Sequence, residues 1–114
     1  MEPKIDPELV LRVRNQVADW NKELKDPWIP SPRAMSLVQT LRNSAPTMAR
    51  LLEKAGILEA WAEILDDRVW TLQRELMKQG REAGEAMNQA MLELIPATSE
   101  AENEWMAAYT LHSV

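Results

Sequence analysis

Apolar residues recur along most of this chain at helical spacing, and the pattern is interrupted mainly where proline or glycine intervenes. Val10, Val13, Val17, Trp20 and Leu24 are spaced 3, 4, 3 and 4 residues apart, with Leu9 beside them and charged residues elsewhere. This is the narrow seam of a helix packed on one side. Asp6 can accept an orphan N–H and Pro7 suits the first helical position, so the helix is expected to start near Pro7.

Residues 26–32 form a Pro-rich connector, in which Pro27, Pro30 and Pro32 remove backbone donors and favour an extended chain. Trp28 and Ile29 are too apolar for a free linker. They are expected to pin the connector to the protein surface or, in the alternative, to enter a partner's pocket. Ser31 and Pro32 then read as the cap and first position of a helix to about Arg42, carrying Met35, Leu37, Val38 and Leu41. Pro46 separates it from a second short helix with Met48, Leu51 and Leu52, which Gly56 is placed to end in the left-handed conformation.

The organising feature is the stretch from Ile57 to Ile95. Leu58, Trp61, Leu65, Val69, Leu72 and Leu76 mark one stripe, and Ala83, Met87, Ala90 and Leu94 mark a second in the same phase. Leu72 and Ala83 are eleven residues apart, close to three turns, so a single amphipathic helix over 57–95 is the leading expectation. The alternative is a hairpin in which Gly80 stops the first helix after Lys78. Beyond Pro96, Ser99 and Glu102 match a capping box, introducing a last helix with Trp105, Ala108, Tyr109 and His112 on one side. Strand-type alternation is absent. The chain is therefore expected to be all-α, a small bundle of about five helices in a single domain spanning residues 1–114.

Composition narrows the functional classes. With no cysteine, disulfide frameworks, thiolate metal sites and cysteine nucleophiles are excluded. The N-terminal residues lack the pattern of a signal peptide, and no stretch reads as a membrane span, which leads to the expectation of a cytoplasmic protein without membrane contact. Charge is uneven: residues 1–56 hold nine Lys/Arg against seven Asp/Glu, and residues 57–114 hold four against eleven. The first half is thus net +2 and the second net −7.

The single histidine, His112, has no nucleophile or carboxylate in register, and Glu63, Asp66, Asp67 and Glu75 have no histidine at metal-ligand spacing. Gly56, Gly80 and Gly84 lack the strand and the Gly-Lys-Ser/Thr signature of a phosphate loop. No catalytic residue, cofactor, metal or small-molecule substrate is implied, and the protein is not expected to be an enzyme.

Candidate partner-binding residues come from what the seams leave over. Of five tryptophans in a chain with one tyrosine and no phenylalanine, Trp20, Trp61 and Trp105 fall on helix seams and are expected in the core. Trp70 lies off its seam in the same sector as Met77, while Gly80 and Gly84 belong to a small-residue region that would let a second helix approach. A continuous helix over 57–95 would extend about 58 Å, well past the breadth of a small domain, and its overhanging stripe would call for a second copy.

The function expected is that of a non-enzymatic helical protein-protein interaction protein, a self-associating subunit or adaptor with a dimer favoured, of a size and composition that suit a phage or mobile-element accessory. Trp28, Ile29, Trp70, Met77, Gly80 and Gly84 are its candidate contacts. One alternative is an acidic inhibitor occupying a basic nucleic-acid-binding surface of an enzyme. Another is a helix-turn-helix DNA-binding module, since residues 27–52 hold Arg33, Arg42 and Arg50 with no acid and Lys54 follows closely. The acidic net charge of −5 counts against nucleic acid.

Overall fold

Three of the helices open on proline at the first helical position, where its missing N–H is no loss and its fixed φ is already helical. The computed structural model describes residues 3–111. Within them the order is β1 (Lys4–Ile5), α1 (Pro7–Leu24), α2 (Pro32–Ser44), α3 (Pro46–Lys54), α4 (Leu58–Lys78), α5 (Ala83–Leu94), α6 (Ser99–Tyr109) and β2 (Thr110–Leu111). The fold is all-α, with six helices among the described residues and one very short strand pair.

That pair had no signature in the sequence. Lys4 faces Leu111 and Ile5 faces Thr110 in antiparallel register, and the Asp6 N–H donates to the Tyr109 carbonyl at 2.8 Å. A two-residue ladder is too short to produce an alternating pattern, yet it ties the start of α1 to the end of α6. Asp6 caps α1 as expected, accepting from the Glu8 N–H at 2.9 Å, and Ser31 caps α2 through the Ala34 N–H at 3.1 Å. The expected Ser99–Glu102 capping box does not form. Thr98 is the cap of α6, accepting from the Ala101 N–H at 3.1 Å, and Glu102 turns to the start of α3.

The continuous helix over 57–95 is also corrected. Gly80 has φ +98° and sits directly beyond the C-cap of α4. Its N–H donates to Met77 O at 3.0 Å and the Arg81 N–H donates to Leu76 O at 3.2 Å, the two bonds of a Schellman motif. Gly56 closes α3 in the same way at φ +75°, with Gly56 N–H to Glu53 O and Ile57 N–H to Leu52 O, both 3.0 Å. After Gly80 the chain reverses, and α5 folds back along α4. The Gln73 Nε2 donates to the Ala83 carbonyl at 3.0 Å, bracing the start of α5.

The main core gathers α2, α3, the first half of α4 and the first turns of α1, with Trp105, Met106 and Tyr109 of α6 packed against it. Leu41 and Leu52 are wholly buried at its centre, each contributing roughly 1.5–3 kcal/mol through burial. The buried face of α2 runs through Ala34, Leu37, Val38 and Leu41, so Met35, one residue off that line, is 44% exposed rather than core. A second apolar contact lies outside this core, where Val69 and Leu76 of α4 and Ala86 and Ala90 of α5 are buried. Ala86 takes the inward position expected of Ala83, which is exposed.

Trp61 is buried, and its ring meets Trp105 and Tyr109 edge to face, with both centroid separations 5.8 Å. Trp20 and Trp105 are half-buried. On α1, Leu9 and Val13 are buried, Val10 and Val17 are half-buried and Leu24 is 57% exposed, so the seam leaves the core towards its C-terminal end. The protein measures 47 × 40 × 21 Å. It is about two helices thick. Its radius of gyration of 15.0 Å exceeds the roughly 13 Å of a compact chain of this length.

Candidate functional site

Two surface features stand out from the bundle, one polar and aromatic, the other apolar. The first is a cleft of about 420 Å³ between the end of α1, the connector and α4. It exists because α1 stops at Leu24, where Lys25 adopts the left-handed conformation at φ 56°, and the connector turns the chain back. The Trp28 N–H donates to Asn21 Oδ1 at 2.5 Å, and its ring lies against Trp20 with centroids 5.0 Å apart and planes inclined at 33°. Trp28 therefore pins the connector, as one reading of the sequence expected. Ile29 does not, since it is 78% exposed.

Opposite these two indoles stand Trp70 and the carboxylates of Glu63, Asp66 and Asp67 on α4, while Glu23 projects from α1. No Lys or Arg lines the cleft. Glu63 accepts from the Ser31 N–H at 3.1 Å and from its hydroxyl at 2.7 Å, fastening the start of α2 to α4. At the rim, the Arg33 guanidinium lies 4.1 Å from the centre of the Trp70 ring and 3.4 Å from Asp66 Oδ1. Burial raises the Asp66 carboxyl above the ordinary aspartate value; Arg33 opposes that rise, and Glu63 and Asp67 add to it.

The second feature is an apolar hollow of about 450 Å³ between α2 and α5, lined by Thr40, Ser44, Asn88, Met91, Leu92, Ile95 and Ala97. It contains no charged side chain. Leu92 stands at its edge 77% exposed, and Met91 is 38% exposed. The buried line of α5 passes through Ala86 and Ala90, which turns Leu92 outward.

The candidate partner contacts named from the sequence separate into groups. Trp28 and Trp70 line the same cleft, with Trp70 39% exposed beneath Arg33, whereas Ile29 lies on the connector outside the cleft's lining. Met77, 44% exposed, Gly80 and Gly84 lie at the α4–α5 turn. The small residues that bring α5 close to α4 are Ala86 and Ala90, not Gly80 and Gly84. Met91 and Leu92 were missed by the sequence reading. Leu92 falls off the Ala83/Met87/Ala90/Leu94 stripe, and that misplacement was the available signal.

The candidate nucleic-acid residues are partly engaged by acids. Arg33 pairs with Asp66 and Arg42 with Glu53 at 3.2 Å, and Arg50 and Lys54, on the surface of α3, are engaged in interactions as well. Only Ala45 separates α2 from α3, against the turn of about 3–4 residues of a helix-turn-helix. His112 lies outside the described residues. Among the described residues, no group of three or more His, Asp or Glu side chains converges to hold a metal, and no helix is long and apolar enough to cross a membrane.

Among the described residues, six helices form an all-α fold that carries these two surface features. No protein-family model, curated protein or solved structure matches this chain.

Proposed function

We propose that this is a non-enzymatic helical interaction protein that self-associates, two copies meeting through the face formed by α2 and α5. One observation carries the reading: Leu92 is 77% exposed beside an uncharged hollow of about 450 Å³. A twofold interface needs a patch that complements itself, and a protruding apolar side chain next to an apolar hollow meets that need. Leu92 of one copy would enter the hollow of the other. The adaptable side chain of Met91 suits such a contact, and Thr40, Ser44 and Asn88 supply short polar groups without a charge to desolvate.

This replaces the motive offered by an overlong helix, which the turn at Gly80 removes. Static light scattering across a concentration series tests the proposal. A mass rising to twice that of one chain, and returning to one chain on Leu92→Glu with the helical circular dichroism unchanged, is the expected result. A single-chain mass at high micromolar concentration, or a dimer indifferent to Leu92→Glu, would refute the assigned face.

A further inference from the structure

We propose that the cleft between α1, the connector and α4 docks an arginine carried by a basic segment of a partner protein. Three observations of different kinds support the assignment. The walls are indoles: Trp20 and Trp28 lie 5.0 Å apart on one side, and Trp70 stands on the other. The charge is of one sign, since carboxylates line the cleft and no Lys or Arg does. The cleft, at about 420 Å³, is large enough for a side chain to enter rather than merely approach.

The protein also displays the recognition chemistry itself. Arg33 lays its guanidinium over the Trp70 ring at 4.1 Å while contacting Asp66 at 3.4 Å, a planar cation held between an aromatic face and a carboxylate. The same two kinds of group line the cleft itself, which holds the Trp20/Trp28 pair together with the carboxylates of Glu23 and Asp67. Glu63 is already engaged by Ser31 and Asp66 by Arg33, so the exposed Glu23 and Asp67 offer the charge for an incoming cation. Arginine fits better than lysine because its flat, weakly hydrated head can stack on indole and bond a carboxylate at once. The α2–α5 face is a different surface, so the two proposals stand or fall separately.

Titration of the 114-residue chain with an octa-arginine peptide, followed by tryptophan fluorescence and calorimetry, tests the assignment. Binding is expected to weaken as salt is raised and to fall about tenfold in the doubly neutralised Glu23→Gln/Asp67→Asn variant, whose positions are exposed and spare the core. Glu100→Gln/Glu104→Gln removes the same charge from α6 and should change affinity less than about twofold. Trp28→Leu should weaken binding as well, and an octa-lysine peptide should bind several-fold less tightly than octa-arginine. Absence of binding, equal loss in the α6 variant, or equal affinity for octa-lysine would each overturn the proposal.

Discussion

Glu102 on α6 accepts the backbone N–H groups of Thr47 and Met48, at 3.1 and 3.2 Å, and so caps a helix start 55 residues away in the chain. α3 has no side-chain cap of its own, because Ala45 precedes it. A carboxylate from another helix supplies both the acceptor and the negative charge that the positive end of α3 favours. Glu102→Ala should therefore destabilise the protein by about 1–2 kcal/mol in urea unfolding, whereas Glu104→Ala, on an exposed position of the same helix, should stay within about 0.5 kcal/mol. Equal effects would mean that the cap contributes nothing.

Gly80 gives a prediction whose sign separates two architectures. A Cβ added there meets nothing within 4 Å, so Gly80→Ala carries no clash and acts only through the φ of +98°. In the observed turn it should cost about 1–2 kcal/mol. In a continuous helix the same change would stabilise by about 1 kcal/mol. Thermal or urea denaturation of this one variant reads the difference.

Trp28 and Ile29 are neighbours in sequence with opposite environments. Trp28→Ala removes the ring that packs on Trp20 and should cost about 1–3 kcal/mol. Ile29→Ala, at a residue 78% exposed, should fall within about 0.5 kcal/mol. Matched chemical denaturation of the two variants checks which one holds the connector.

Asp66 should titrate above the ordinary aspartate value, since burial and its acidic neighbours outweigh Arg33. Arg33→Ala removes the one influence that lowers it, so the Asp66 titration should move still higher, as read by carboxyl-carbon NMR. The sign for stability follows. With the folded value raised above the unfolded one, the native state binds the proton more tightly, so the Asp66 contribution to stability grows as pH falls through the folded value and is lost as pH rises through it. Asp66→Asn should flatten this part of the stability profile.

Much of the helical layout was legible because its signals are local. Pro7, Pro32 and Pro46 mark helix starts and Gly56 a helix end, each through its own backbone stereochemistry. Gly80 was ambiguous for a geometric reason: eleven residues are nearly three helical turns, so two helices separated by a reversing turn can share the phase of one. The Schellman bonds settle the reversal, and Gln73, a buried polar residue of α4, braces it by reaching Ala83. Met35 and Leu92 were harder to place, because which side of a helix faces inward depends on neighbours that the chain brings in from elsewhere.

The sequence by itself determined the all-α class, most helix starts and the main apolar seams, because propensity, capping and periodicity act over a few residues. Only the tertiary structure decided that 57–95 is two helices packed on one another, that Glu102 serves α3 instead of its own helix, and that tryptophans from α1, the connector and α4 share a cleft with a cluster of acids. Those relationships join residues tens of positions apart, and they come from packing and long-range hydrogen bonds that no local pattern encodes.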